Sequence, residues 1–241
     1  MIQAVTLDFW GTLVDDRVSG APPRIAVLAA ALAHVSRQQV AAAYARAWDR
    51  YQRAGAQGLG LSPEALLSLT LDELSEALRP PAFRAVLSAW EVAHVTDPPA
   101  LLPGVPEVLR GLRRKGLLVA LISDTGATPG TGLREYLREQ GLHTLFDWLT
   151  FSGETGVTKR SPQAFRHTLA ALGVRPGDAV HVGDTPATDI AGAQAAGLRA
   201  ILTLELHDRR AADCRPDGMI HSIRDLPAAL DSMSVRSATP K

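Results

Sequence analysis

Six positions of this 241-residue sequence carry side chains suited to handling charged oxygen. Asp8 lies in "TLDFWGTLVDD" (6–16), Ser123 and Asp124 in "LISDTG" (121–126), Lys159 in "GVTKRSPQAF" (156–165), and Asp184 and Asp189 in "HVGDTPATD" (181–189). Three of these stretches end apolar runs, and the lysine's stretch lies between two of them. Taken singly, an aspartate or serine there caps the following helix, and a lysine is an ordinary solvated side chain. Together, a carboxylate, a small hydroxyl, a lysine and an acidic pair at successive strand-to-helix junctions exceed what capping demands.

The chemistry such a set supports is phosphoryl transfer. Asp8 can attack phosphorus and form an aspartyl phosphate, which divides one difficult displacement into two easier ones. Nucleophile and substrate are both negative, so their approach has to be neutralised. Asp8 and Asp184, with a nearby backbone carbonyl, offer the hard oxygen ligands that Mg²⁺ prefers. The Ser123 hydroxyl, the Lys159 ammonium and neighbouring backbone N–H groups can hold the remaining phosphate oxygens. Gly11 and Thr12, in the turn after Asp8, and Asp124 complete the substrate-binding candidates. Asp189 is suited to orienting Lys159 or a metal-bound water.

Such residues need a scaffold that brings them to one edge. From about residue 99, helix-like stretches (105–114, 130–140, 162–172, 187–196) alternate with apolar runs. The runs are "LLVALIS" (117–123), "WLTFS" (148–152), "AVHVG" (179–183) and "RAILTL" (199–204), and "QAVTLDF" (3–9) belongs with them. Parallel strands covered on both faces lose alternation in this way. The expectation is an α/β fold with an open, doubly wound parallel sheet, whose ligands bind outside the carboxyl ends of the strands.

Residues 16–98 show only the helical period. Ser36 and Gln39 have capping-box spacing and open a helix with Val40, Tyr44, Ala47, Trp48 and Tyr51 on one face. Ser62 and Pro63 start a second helix, and "PAFRAVLSAWEVAHV" (81–95) forms a third with Phe83, Val86, Leu87 and Trp90 on one stripe. This predicts an all-helical insertion over 16–98, a catalytic core made of 1–15 and 99–231, and a flexible tail over 232–241. The aromatic stripes are expected to pack a core, with lining a substrate pocket as the lesser alternative, and both roles are compatible at the edge of a cap.

Lys plus Arg number 25 and Asp plus Glu number 25, so no global charge recruits nucleic acid or an anionic membrane. The single cysteine, Cys214, excludes an intramolecular disulfide framework and a thiol cluster for zinc, which fits a reducing compartment. No stretch reaches the roughly 18 apolar residues of a membrane helix, and the N-terminus lacks the pattern of a secretory signal. These features predict a cytoplasmic protein that acts on a small molecule. Homodimerisation stays open, because the apolar helical faces suit either the chain's own core or a second copy.

In this order, the four motifs resemble those of the haloacid dehalogenase superfamily. The resemblance covers roughly 1–15 and 99–225, and the helical segment falls where that family inserts its cap domain. It implies a Rossmann-like core with Asp8 as nucleophile and Ser123 and Lys159 as phosphate or substrate binders. It also implies Mg²⁺ held by Asp8, Asp184 and the backbone carbonyl of Trp10, and a mobile cap that supplies specificity.

Trp10 departs from that pattern. Phosphatases of the family usually carry a second aspartate two residues after the nucleophile, which protonates the leaving oxygen and then activates water. Tryptophan does neither. Loss of a general acid and base typically costs roughly 10² to 10⁴ in rate, and acyl or aryl phosphates suffer least at the first step. Family members that cleave carbon–halogen bonds have tyrosine at this place, since halide leaves without a proton; they work without metal and lack the acidic pair of "GDTPATD". Without a cation, Asp184 and Asp189 would only repel each other.

The leading expectation is therefore a Mg²⁺-dependent phosphatase acting on a small phosphorylated metabolite. A metal-independent 2-haloacid dehalogenase or other C–X hydrolase, and a low-turnover phosphate-binding or regulatory protein, are the alternatives. Asp15, Asp16, Asp124, His34 and His94 are the candidates for the lost acid, with turn or helix capping the simpler role for the aspartates.

Overall fold

The computed structural model describes residues 1–17, 21–92 and 98–236. Six strands form one sheet: β1 (Ala4–Leu7), β2 (Leu118–Ser123), β3 (Trp148–Phe151), β4 (Ala179–Gly183), β5 (Arg199–Thr203) and β6 (Gly218–Ile220). Their order is β3-β2-β1-β4-β5-β6, and every pairing is parallel. β1 and β4 lie side by side at the centre and are buried at every position, which is why their sequences show no polar alternation. The order reverses beside β1, so the ends of β1, β2 and β4 open on one crevice.

Between β1 and β2 lie four helices, α1 (Ala21–Ala31), α2 (Arg37–Ala56), α3 (Pro63–Leu74) and α4 (Pro80–Glu91). The capping box of Ser36 and Gln39 opens α2, and Ser62 caps α3 with proline at its first position. Val40, Tyr44, Ala47, Tyr51, Val86 and Trp90 are buried in an apolar cluster of this layer's own. Trp48 stands half-buried, stacked on Tyr51 with ring centroids 5.5 Å apart. Core packing is thus the role of the aromatic face. The sequence analysis singled out no boundary for α1; its Pro22 and Pro23 lie in the first turn, where the missing N–H costs nothing.

The helices around the sheet are α5 (Val105–Arg114), α6 (Gly130–Glu139), α7 (Ser152–Thr155), α8 (Pro162–Leu172), α9 (Ala191–Ala195) and α10 (Leu226–Arg236). A π-helical turn, Pro186–Ile190, leads into α9 over the stretch expected to be plain helix. Two further features lay outside the expectation. β6 is too short, at three residues, to carry a periodic signal. α10 continues through Arg236 into the segment expected to be a flexible tail, and Met233 is buried in the main core. No helix among the described residues is long and apolar enough to cross a membrane.

The helical layer is tied to the core beside two of the chemical motifs. Arg24 Nη2 donates to the carbonyl of Ala127 at 3.0 Å, and the Tyr51 hydroxyl lies 2.6 Å from the carbonyl of Gly126. The turn after α2 pairs with the loop that carries Lys159. There Gly60 N–H donates to Gly156 O at 2.9 Å and Thr158 N–H to Gly58 O at 3.0 Å. A Cβ at Gly60 would stand 2.1 Å from the carbonyl oxygen of Ser152, so only glycine permits this approach. Gly60→Ala is expected to destabilise the protein by about 1–3 kcal/mol, read as a lower melting temperature. An unchanged melting temperature would contradict this docking.

Candidate active site

Asp8 follows β1, Ser123 ends β2, Asp184 follows β4, and Lys159 comes from the loop braced by Gly58 and Gly60. The fold brings these to one place. Lys159 Nζ stands 2.5 Å from Asp8 Oδ1 and 2.5 Å from Asp189 Oδ1, with all three side chains at most 5% exposed. Carboxylate oxygens of Asp8, Asp184 and Asp189 lie within 4.8 Å of one another. Gly11 has φ +72°, and a Cβ there would stand 2.5 Å from Asp184 Oδ2, so the turn after β1 lies directly against the acidic cluster.

Each neighbour has a definite task. Thr12, expected among the substrate binders, donates its hydroxyl to Asp8 Oδ2 at 3.2 Å and so fixes the carboxylate. Asp124 accepts the Lys159 backbone N–H at 3.0 Å and anchors the lysine's loop. Asp189 accepts from the Lys159 ammonium on one oxygen and from the Thr185 N–H on the other, at 2.9 Å. Ser123 Oγ is buried with no hydrogen-bond partner among the described residues. A buried hydroxyl left unpaired is costly, and a ligand oxygen is the natural partner at a strand's end.

The electrostatics are those of a crowded anionic site. Burial pushes the Asp8 carboxyl well above its usual value, against the pull of Lys159, and the charges of Asp189 and Asp184 push it further. Asp184 is likewise raised, by burial first and then by Asp189. Burial would also raise Asp189, but the Lys159 ammonium and the His181 hydrogen bond outweigh it and hold this carboxylate well below the usual range. Lys159 shows the mirror image, with burial overcome by Asp189, Asp8 and Asp124 so that it stays charged. Three carboxylates thus face one buried ammonium, and hard oxygen donors in negative excess are the donor set a small divalent cation fits.

Sequence reasoning missed His181. It lies wholly buried in β4 opposite Thr6, 3.1 Å from Asp189 Oδ1 and 2.8 Å from the Thr6 hydroxyl. Burial lowers its pKa, so the neutral ring donates from Nε2 to Asp189 and accepts at Nδ1 from Thr6. A histidine inside the apolar run "AVHVG" was the available signal. Arg209 and His207, which reach the cluster from the loop before β6, had none.

Among the described residues, the candidates for the lost acid already have partners of their own, Asp124 in the Lys159 backbone. Asp15 is held down to about 2 by its hydrogen bonds from Arg17, and Asp16 pairs with His207 and Arg209. His34 is exposed and bonded to Glu76 at 2.9 Å; His94 lies outside the described residues. Trp10 is half-buried, edge-on to Phe9 at 4.9 Å. A cavity of about 490 Å³ against β3, lined in part by Arg134, Trp148, Glu154 and His167, shares no residue with the cluster.

The haloacid dehalogenase-like hydrolase family matches residues 2–197. Phosphoserine phosphatase of Thermus thermophilus is 35% identical over 158 residues, 64% of this chain and 61% of that protein, so the chain spans less than two thirds of its length. Phosphoglycolate phosphatase 1 of Pseudomonas aeruginosa is 30% identical over 230 residues, 94% of this chain and 79% of that protein. Among solved structures, a 2-haloacid dehalogenase from Pseudomonas syringae pv. Tomato is similar with a TM-score of 0.73 at 27% identity, covering 97% of this chain and 100% of that one. On the family match, the parallel sheet and the motif order together, this chain belongs to the haloacid dehalogenase-like hydrolases.

Proposed function

We propose that this hydrolase is a phosphatase that moves a phosphoryl group from a small phosphorylated metabolite to Asp8 and then to water. The observation that carries the reading is the buried trio of Asp8, Asp184 and Asp189, with oxygens within 4.8 Å of one another and the buried Lys159 ammonium against Asp8 and Asp189. The phosphatase names of the Thermus and P. aeruginosa relatives support it.

Asp8, Asp184 and the Trp10 carbonyl would hold Mg²⁺. When bound, the ion supplies the positive charge that lets a carboxylate approach a phosphate. Thr12 and Lys159 hold the Asp8 carboxylate in place for attack. An Asp8 oxygen bonds to phosphorus as the bond to the leaving oxygen breaks. Lys159 and the unpaired Ser123 hydroxyl take the phosphoryl oxygens. Asp189, locked by His181 and Thr185, keeps the ammonium aimed into the site. Water then attacks phosphorus as the bond from phosphorus to the Asp8 oxygen breaks, which restores the Asp8 carboxylate and releases inorganic phosphate and a proton.

With Trp10 in place of an acid, the leaving oxygen gains no proton from this position, so acyl and aryl phosphates are the favoured substrates. Trp10→Asp tests this. The variant is expected to raise turnover of alkyl phosphates about 10²-fold relative to aryl phosphates, at some stability cost from the lost contact with Phe9. An unchanged alkyl-to-aryl ratio would remove Trp10 from the explanation. A second reading, 2-haloacid dehalogenase, is favoured by Trp10 itself and by the P. syringae structure. There Asp8 would attack carbon and release halide, which needs no proton.

A further inference from the structure

Asp184 already faces a cation of the chain's own. Arg209, in the loop between β5 and β6, places Nη1 on Asp184 Oδ2 and 2.9 Å from the Thr185 hydroxyl. Its Nη2 lies 3.5 Å from Asp16 Oδ2, and His207 holds the other Asp16 oxygen at 2.6 Å. The Asp184 side chain is 3% exposed and that of Arg209 39%. The carboxylate is therefore fixed in the site, while the guanidinium reaches it from the solvent side.

Resting on the reading of the acidic trio as a Mg²⁺ site, we propose that Arg209 is a tethered cation that competes with the divalent ion for Asp184 and so sets the metal affinity of the site. A guanidinium neutralises one charge but offers no open position to a substrate oxygen, so it cannot do the ion's work. It has to leave when the ion arrives. Apparent metal affinity is then the intrinsic affinity multiplied by the fraction of molecules in which Arg209 is off Asp184, and metal binding in turn loosens Arg209. Asp16, already within reach of Nη2 and braced by His207, gives the displaced guanidinium a partner close by. The segment involved, "HDRRAAD" (207–213), lies outside all four chemical motifs.

Titration calorimetry of the full chain with Mg²⁺ alone tests the proposal. Arg209→Gln, which keeps much of the stem, and Arg209→Ala are both expected to bind Mg²⁺ about tenfold more tightly than wild type. Arg210→Gln is the control: Arg210 pairs with Asp208, so the variant removes one charge from the same loop without touching Asp184. It is expected to match wild type. Affinity unchanged or weakened in both Arg209 variants, or equally tightened in Arg210→Gln, would overturn the proposal and leave the metal site standing. Absence of Mg²⁺ binding in all four proteins would overturn the metal site and the proposal together.

Discussion

Asp8→Asn is expected to reduce turnover by about four orders of magnitude or more while leaving the protein folded. The amide keeps both contacts: its oxygen, in the place of Oδ1, accepts from Lys159 at 2.5 Å, and its nitrogen, in the place of Oδ2, donates to the Thr12 hydroxyl 3.2 Å away. It cannot attack phosphorus or carbon. The fold tolerates the change because burial and two neighbouring carboxylates already disfavour the charge on Asp8. Steady-state turnover with the best substrate found for wild type, alongside a thermal melt, measures both halves. Residual activity above about 1% of wild type would mean that another group performs the displacement, as such a fraction far exceeds what binding groups leave behind when a nucleophile is removed.

Lys159→Met is expected to be the most destabilising single change in the site, by about 3–5 kcal/mol near neutral pH, because it leaves buried carboxylates without their ammonium. The pH dependence gives this a signature. In wild type, Asp189 is held below its ordinary value, so its contribution to stability is present above the unfolded carboxyl pKa and is lost as pH falls through the folded one. Without Lys159, burial dominates and the same carboxyls are raised. A raised carboxyl costs stability as pH rises through its folded value, and protonation relieves that cost in acid. The gap in melting temperature between wild type and variant is therefore expected to be wider at pH 8 than at pH 5. An equal gap at both would assign the loss to packing alone.

Asp8, Ser123 and Asp184 stood out in the sequence because each ends or directly follows an apolar run, and a parallel sheet turns that position into a shared edge; Lys159 and Asp189 stood out only by their order between and after those runs. Helices α2, α3 and α4 were legible through Ser36, Ser62 and their apolar stripes. What stayed hidden depends on contacts far apart in the chain. His181 acquires its role from pairing opposite Thr6, 175 positions away, and from Asp189 folding back in a π turn. The Thr12 hydroxyl, expected among the substrate binders, also donates to the Asp8 carboxylate, a contact that the spacing did not show. Arg209 sits in a loop with no periodicity, and only the closeness of Asp16 and Asp184 to that loop gives it meaning. The brevity of β6 hid that strand for a local reason.

The most direct test of the central claim measures phosphate and halide release by one wild-type sample, offered acyl, aryl and alkyl phosphates and 2-haloacids, with Mg²⁺ and with EDTA. Phosphoryl transfer through Asp8 predicts phosphate release that requires Mg²⁺, favours acyl and aryl esters, and comes with no halide. Halide release that survives EDTA, with no phosphate released from any ester, would contradict it.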